Sequence, residues 1–341
     1  MKKRLLSFGG IILLIVGVGI ILPSRVVVER HILIDTHAAT IFALLNDFNQ
    51  VTKWLPMLGG DANAQIDISG PARGVDASIA WNGHIIGQGR QTIIESVPYE
   101  KITAEFDLGG RIPATITFAL SSEKGMTRVA WRHAREFGFN LAGRYFGLVL
   151  GPIVGPAQEQ GLKQLKALAE NLPRADFGGM EIEQIVVEAS DIAYLRTTSI
   201  PQANAMSEAM GDAYYSVLRF IDEYGLDEAG APLSITRAFS GSELVFDAAI
   251  PVRGVGAETP RSGTAVKIGR TYAGPVIRVK HIGSYRTLGR THDKIAAYLA
   301  ALGIARNGDA WETYVSDPTR TDEADLLTYV YYPIRQTDHE T

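Results

Sequence analysis

The sequence predicts an α+β protein in which two domains follow an N-terminal transmembrane helix. Three observations support this prediction: an uncharged apolar run at residues 5–22, a series of strand-like segments closed by an amphipathic helix at residues 25–172, and an internal repeat at residues 180–336. The chain has 341 residues, of which 46% are hydrophobic and 21% are charged. That length and composition are sufficient for two separate hydrophobic cores.

The apolar run from Leu5 to Leu22 has the length of a membrane span. As a helix it is about 27 Å long, at 1.5 Å per residue, which is just enough for the hydrocarbon core of a bilayer. A basic cluster at residues 2–4 precedes it, so the positive-inside rule keeps the N-terminus in the cytoplasm. A cleaved signal peptide is the alternative, but no Ala-x-Ala-like site follows. Residues 1–24 are therefore predicted to be an uncleaved single-pass anchor in the inner membrane of a bacterium, with periplasmic or otherwise extracytoplasmic domains.

Composition excludes several classes of function. The formal net charge is -4 and basic residues cluster only at residues 2–4, so no surface for nucleic-acid phosphates is expected. The absence of cysteine excludes disulfides and thiolate metal sites. The seven histidines show no His-x-His or His-Glu-x-x-His spacing, and the Gly-x-Gly segments lack a strand–turn–helix setting. We therefore predict neither a metal nor a cofactor.

The first domain begins with a Val- and Ile-rich strand at Arg25–Ile34, after which apolar residues from Ile41 to Phe48 recur at helical spacing. Six strand-like runs follow, separated by turn signals: Gln65–Ser69, Val75–Trp81, Gly89–Ser96, Lys101–Leu108, Ala114–Leu120 and Thr127–His133. A last helix carries leucines on one face between Leu162 and Leu172. This order predicts one long helix packed across a curved antiparallel sheet, with a hollow between them.

Residues 25–172 resemble the SRPBCC superfamily, the helix-grip fold of START lipid-transfer domains, polyketide cyclases and pollen allergens. The resemblance rests on four segments: the strand ending at Ile34-Asp35, the helix through Ile41–Leu45, Asp47 with Trp54-Leu55-Pro56, and the turn at Gly161–Leu165. It implies an apolar cavity for a lipid, a polyketide or another hydrophobic molecule. The superfamily has no shared catalytic residue, so none is implied here.

Five aromatic residues of this domain are candidates for the lining of such a cavity: Trp54, Trp81, Phe106, Phe118 and Trp131. The alternative is that they pack together in a closed core, as strand aromatics often do. The sequence leaves both alternatives open.

A short linker at residues 173–179 follows the last helix of the first domain. Pro173 ends the helix, and Gly178-Gly179 gives the backbone freedom. The second domain then extends from residue 180 to residue 336, and residues 337–341 form a tail.

The second domain contains an internal repeat. The segments Gly230–Val252 and Gly308–Ile334 share an outline of a glycine turn, a strand, a polar turn and a second strand. Aligning Gly225 with Gly303 also brings the helices before these segments into register. Each copy of the repeat is predicted to consist of a strand, a helix and two further strands. Two such units predict one antiparallel sheet with helices on one side and a groove along a pseudo-twofold seam.

The repeat shows where its two copies differ. In this alignment Glu312 corresponds to Ser234, and Tyr314 corresponds to Thr236. Strand alternation places Glu312 and Tyr314 on one face. Because a scaffold does not require such a difference, we predict that Glu312 and Tyr314 bind a ligand. The alternative is a solvated carboxylate on a strand.

The second domain resembles the GyrI-like family, the effector-binding fold that is also fused to multidrug-responsive transcription regulators. The resemblance rests on four segments: Gly274-Pro275, His281–Tyr285, Trp311–Tyr314 with Asp317-Pro318, and Tyr332–Ile334. It implies an aromatic cleft with a buried glutamate for cationic or planar apolar ligands. Some members look like hydrolases of reactive cyclopropane-bearing compounds. Three further tyrosines are candidate walls of the cleft: Tyr194, Tyr214 and Tyr285.

These observations predict a membrane-anchored protein that binds hydrophobic or amphipathic small molecules, including cationic aromatic ones. One alternative is a hydrolase with Glu312 as general acid or base. Another is an effector sensor of a transcriptional or stress response without a DNA-binding domain of its own. The predicted partners are a small molecule and, through residues 5–22, a membrane.

Overall fold

The computed structural model describes residues 13–55, 57, 61, 63–109, 113–256, 259 and 264–335. The chain divides into two units, residues 1–178 with 300–303 and residues 179–299 with 304–341. Each unit is an α+β structure built on an antiparallel sheet. The predicted tail at residues 337–341 lies outside the described residues.

From Arg25 onward, the described residues of the first unit form these elements in order: β1 Arg25–Ile34, α1 Ala38–Leu45, α2 Phe48–Val51, β2 Gln65–Ser69, β3 Ser78–Gly83, β4 Gly87–Val97, β5 Lys101–Asp107, β6 Ala114–Glu123, β7 Met126–Glu136 and α3 Leu141–Glu170. The strands form one antiparallel sheet in the order β1-β7-β6-β5-β4-β3-β2. Sequential strands from β2 to β7 are neighbours, and the pairing of β1 with β7 places the first strand at the opposite edge from β2.

Helix α3 packs alongside β1 and covers the inner face of the sheet. Leu162 and Leu165, which are 1% and 0% exposed, belong to the core that the alternating apolar residues of the strands form. Farther towards its N-terminus, α3 approaches β1 through glycines: a Cβ on Gly147 would lie 2.8 Å from Val26 Cγ2. The glycines of α3 therefore set how closely this helix packs against the sheet.

The predicted transmembrane helix is wrong. No helix in the part of the chain that the structure describes is long and apolar enough to cross a membrane. Within the predicted span of residues 5–22, residues 13–21 are helical, and residues 5–12 lie outside the described residues. Arg144 of α3 donates to the carbonyls of Ile20 and Leu22 at 2.7 and 3.1 Å. The predicted single-pass localisation in the inner membrane depended on this span and is wrong with it.

The second unit has the order β8 Ile182–Val187, β9 Asp191–Ser199, α4 Ala203–Glu223, β10 Asp227–Glu228, β11 Leu233–Phe239, β12 Leu244–Arg253, β13 Lys267–Arg270, β14 Gly274–Ile282, α5 Leu288–Leu302, β15 Trp311–Tyr314 and β16 Leu327–Pro333. Short 3-10 helices occupy Tyr285–Thr287 and Glu323–Asp325. The strand order is β13-β9-β12-β11-β15-β16-β14-β8, and β10 pairs with β12.

Two bent segments of chain join the ends of this sheet. β8 and β9 are separated by only three residues, as are β13 and β14, yet the two members of each pair lie at opposite ends of the strand order. The pairing of β8 with β14 keeps the same register as the pairing of β9 with β13. At the bend, Thr271 N donates to Ser190 O at 2.9 Å. The sheet therefore curves so far that the same two chain segments, residues 182–199 and 267–282, pair with each other at both of its ends. Apolar clusters are buried on both of its faces.

The repeat predicted from the sequence is visible in the strand order. One copy consists of β9, α4, β11 and β12, and the other of β14, α5, β15 and β16. The copies meet where β11 pairs with β15, and there Ser234 lies directly opposite Glu312. The two residues that the alignment makes equivalent are thus neighbours across the pseudo-twofold axis.

We expect Gly147→Ala to destabilise the first unit. A Cβ at this position would lie 2.8 Å from Val26 Cγ2 and 3.0 Å from the ring of Phe137, so these side chains or the helix must shift, and the free energy of unfolding should fall by about 1–3 kcal/mol. Urea unfolding followed by circular dichroism measures this change. The matched control is Gly211→Ala in α4, which meets open space and should instead gain up to about 1 kcal/mol. Equal effects of the two substitutions would contradict the close packing of α3.

Candidate functional site

Glu312 points into the seam between the two helices of the repeat. Directly opposite residues of an antiparallel pair share a face. Val330, opposite Glu312 on β16, packs against α5, and Ala248, opposite Ser234 on β12, packs against α4. Glu312 and Ser234 therefore lie on the helix-covered face, one beside each helix.

Both carboxylate oxygens of Glu312 accept a hydrogen bond. Oε1 lies 2.6 Å from Nε2 of His292, and Oε2 accepts from the Tyr314 hydroxyl at 2.5 Å. The Glu312 side chain is 16% exposed and that of His292 is 24% exposed. Because a carboxylate only accepts, Nε2 of His292 carries a proton in this contact. In the neutral ring, Nδ1 is then an acceptor for the Tyr332 hydroxyl, which lies 2.8 Å away.

Aromatic rings surround the carboxylate. Tyr285 meets Tyr314 edge to face, with ring centroids 5.3 Å apart. Burial raises the pKa of Tyr332 to about 12, and burial followed by the charge of Glu312 raises the pKa values of Tyr314 and Tyr214. The site therefore combines one carboxylate with hydroxyl groups that stay protonated at neutral pH.

Tyr214 of α4 completes the wall of the cleft. It interacts electrostatically with Glu312 and Tyr285. Its hydroxyl is buried and has no hydrogen-bond partner among the residues that the structure describes. Because buried hydroxyls nearly always find a partner, this hydroxyl is available to a ligand atom that enters the cleft.

The structure brings four of the five predicted ligand-binding residues together: Glu312, Tyr314, Tyr285 and Tyr214. It does not place Tyr194 with them. In β9, Ala193 packs on the helix-covered face, and Tyr194 packs on the opposite face with Leu233 and Trp311. The alternation of side chains along the strand separates Tyr194 from the cleft.

His292 and Tyr332 are site residues that the sequence reasoning missed. His292 lies on the apolar stripe of α5, at helical spacing from Leu288 and Ile295. A polar residue on such a stripe was the signal that could have identified it. In addition, the offset that aligns Gly225 with Gly303 aligns Tyr214 with His292. The two helices thus present different residues to the cleft from equivalent positions.

The five aromatic residues of the first unit lie in one buried cluster. Trp54 contacts Phe118 and Trp131, with ring centroids 6.0 and 5.9 Å apart. Trp81 contacts Phe106 at 5.6 Å. All five are less than 10% exposed and belong to the same core. Their rings therefore pack within this core in two groups, Trp54 with Phe118 and Trp131, and Trp81 with Phe106.

His133 is a buried histidine in this interior. It is 6% exposed, and its ring lies 6.0 Å from that of Phe106. Burial, followed by the charge of Arg135, lowers the pKa of His133 to about 4. The ring is therefore neutral at physiological pH.

We expect His133 to make the first unit less stable in mild acid. Its folded pKa of about 4 lies below the unfolded value of 6.5, so its contribution is fully present above pH 6.5 and is lost as the pH falls towards 4. The loss should approach about 3 kcal/mol. To measure this loss, the free energy of unfolding in urea is compared for the natural chain and His133→Gln at pH values from about 4 to about 7, a range that covers the folded and unfolded pKa values. The exposed His31→Gln is the control, and a His133→Gln profile as steep as the natural one would contradict the assignment.

No group of three or more His, Asp or Glu residues within the described part of the chain is arranged to hold a metal ion. The candidate site therefore consists of a carboxylate, an imidazole and tyrosine hydroxyls.

Comparison with protein families identifies both domains. Residues 25–170 match the family described as polyketide cyclase/dehydrase and lipid transport. Residues 180–335 match the GyrI-like small molecule binding domain. The chain is therefore a polyketide cyclase-like SRPBCC domain followed by a GyrI-like domain, which confirms the architecture predicted from the sequence. Both domain types indicate binding of small molecules.

Several solved structures are similar to parts of the chain. The C-terminal domain of EcmrR gives a TM-score of 0.40 with 12% identity, over 47% of this chain and 99% of that one. A hydrolase from Listeria innocua gives a TM-score of 0.33 with 13% identity, over 46% and 92%. The Aha1 dimer from Colwellia psychrerythraea gives a TM-score of 0.31 with 18% identity, over 41% and 96%. Comparison with curated proteins gave no match. At these TM-scores and identities, the solved structures do not indicate the ligand or the activity of this chain.

Proposed function

We propose that the GyrI-like domain binds a cationic aromatic small molecule in the cleft between α4 and α5, with Glu312 as the counter-charge. The observation that carries this proposal is the carboxylate itself, which is 16% exposed and surrounded by the rings of Tyr285 and Tyr314. A ring that faces a cation contributes about 0.5–2 kcal/mol, and a partly desolvated carboxylate adds a charge-assisted contact.

The hydrogen bonds already made by Glu312 leave room for such a ligand. A carboxylate has about four lone-pair positions. His292 and Tyr314 occupy one position on each oxygen. A ligand cation can therefore approach the remaining positions without displacing either residue. Tyr214, whose hydroxyl is buried without a partner among the described residues, offers a further polar contact.

The contact of His292 with Glu312 supports hydrolysis as a second candidate function. A carboxylate that holds the Nε2 proton of an imidazole fixes the tautomer and leaves Nδ1 as a base. In this cleft Nδ1 faces the Tyr332 hydroxyl. For hydrolysis, an attacking water would pass a proton through the Tyr332 hydroxyl to Nδ1 of His292, Glu312 would stabilise the imidazolium, and the imidazolium would return the proton to the leaving group by the same path. The same residues would then act on a strained or reactive aromatic substrate.

Glu312→Gln tests the proposed binding function, because it keeps the shape of the side chain and removes its charge. We expect benzyltrimethylammonium to bind more weakly by about 1–3 kcal/mol, and its neutral isostere neopentylbenzene to bind unchanged. Titration followed by NMR on the whole chain measures both. The exposed Glu243→Gln is the control. Equal affinity of the natural and Glu312→Gln chains for the cation would show that this carboxylate is not the counter-charge.

The hydrolase alternative predicts a different result for the same variant. Binding of neopentylbenzene should survive, and turnover of a strained aromatic probe such as styrene oxide should fall by about 100-fold, because His292 loses the carboxylate that fixes its tautomer and stabilises its imidazolium. Incorporation of oxygen from labelled water into the product detects this reaction. A natural chain that does not hydrolyse the probe leaves binding as the function of the cleft.

A further inference from the structure

The N-terminal half of α3 is apolar on both of its sides. Gly147 and Gly155 are buried on the side that packs against β1. Phe146, Val149 and Ile153 recur at helical spacing on the outer side, where they are 38–59% exposed. A helix that is apolar all round is normally buried. Within the described residues, this half of α3 is covered on its inner side alone.

A second apolar helix lies beside this part of α3. Residues 13–21 are helical, and every one of them except Gly17 and Gly19 is a large apolar residue that is 39–84% exposed. The Tyr145 hydroxyl of α3 donates to the Ile15 carbonyl at 2.6 Å. A Cβ on Gly19 would lie 3.2 Å from the Tyr145 ring, so the two helices are in close contact. Together their exposed side chains form one surface. We call this surface the apolar face; it consists of residues 13–21 with Phe139, Phe146, Leu148, Val149 and Ile153.

The apolar face is as large as one side of a stable protein interface. Its exposed side chains present on the order of 1,000 Å², and a standard interface takes about 800 Å² from each partner. The largest apolar patch on a typical monomer is about 300–600 Å².

The apolar face is also almost free of charge. Residues 13–22 and 137–158 contain one charged residue, Arg144. Its guanidinium donates to main-chain carbonyls, including those of Ile20 and Gly138. A partner that covers this face must therefore be apolar as well.

The charges that border the apolar face are paired within the chain. Arg25, a few residues after the first helix, lies 3.7 Å from Glu136. Arg30 lies 2.7 Å from Glu159, which follows the apolar half of α3. A border with an excess of one sign would repel a second copy of itself, whereas balanced pairs do not. The apolar face and its border therefore suit contact between identical surfaces, which is the commonest arrangement in oligomers.

We propose that the apolar face is the interface of a symmetric homodimer. Residues 13–21 and the outer side of α3 pack against the same surfaces of a second copy, so that each chain gives and receives the same contacts. The dimer does not require a ligand in the cleft of the GyrI-like domain, and it does not depend on Glu312.

Sedimentation velocity of the full chain, in buffer without detergent, measures the dimer. We expect Val149→Arg to raise the dissociation constant by at least about 100-fold, because the dimer would have to bury a charge without a partner. Arginine is a good helix former, so the variant should fold, and circular dichroism checks this. The matched control is Val315→Arg, since Val315 follows β15 and has the same exposure of 48% as Val149. The control should leave the dissociation constant unchanged.

Cross-linking shows which surfaces meet. The chain contains no cysteine, so a single introduced cysteine reports one position. We expect at least one of Phe146→Cys, Val149→Cys and Ile153→Cys to give a covalent dimer with a short bis-maleimide, because a two-fold axis brings equivalent positions near it close together. Val315→Cys should remain uncoupled under the same conditions.

Three results would overturn the proposal. The first is a natural chain that sediments as a monomer at about 100 μM, well above the dissociation constants typical of interfaces of this size. The second is a dimer that Val149→Arg leaves intact and that none of the three cysteines on α3 cross-links, which would place the interface elsewhere. The third is a monomer that sediments with phosphatidylcholine vesicles, which would mean that lipid covers the apolar face.

Discussion

The pairing of β11 with β15 is the constraint on which the second domain depends. Three residue pairs join the two copies of the repeat, with Ser234 opposite Glu312 in the middle. Opposite residues of an antiparallel pair have Cβ atoms about 5 Å apart. A perfectly symmetric sequence would place either two serines or two glutamates at this point, and two adjacent carboxylates would repel each other. A single buried carboxylate at the axis therefore requires that the two copies differ, and the difference makes room for a site.

The same reasoning explains what the sequence could and could not predict in the site. Glu312 was identified because it breaks the repeat at a strand position. His292 breaks the repeat as well, opposite Tyr214, but it lies on a helix whose apolar stripe dominates the pattern. Tyr194 was misplaced because β9 is apolar on both faces, from Ile192 to Leu195. Alternation shows which residues share a face, but not which face the helices cover. Because the sheet closes on itself, apolar residues are buried on both of its faces.

In the first domain, the sequence predicted the strands and the end of α3, but not its beginning. The leucines near Leu162 recur at helical spacing, whereas the N-terminal half of α3 contains Pro152, Pro156 and several glycines. Such residues usually mark the end of a helix. Here Gly147 faces Val26 and Phe137, so the missing side chain is what lets the helix reach the sheet. Hydropathy also gave a wrong prediction for the apolar run before β1, because it cannot show that Arg144 of α3 donates hydrogen bonds to the carbonyls of Ile20 and Leu22.

The hydrogen bonds of Glu312 also determine what a ligand can gain in the cleft. Because His292 and Tyr314 hold the carboxylate before any ligand arrives, the cost of ordering this side chain belongs to folding and not to binding. The Tyr214 hydroxyl, which has no partner among the described residues, has the opposite effect on the folded state, since a buried polar group without a partner costs about 1–3 kcal/mol. A ligand that supplies this partner recovers that free energy on binding. The Glu312 carboxylate is thus already ordered, whereas the Tyr214 hydroxyl has no hydrogen-bond partner among the described residues. The affinity of a ligand depends on contacting both groups.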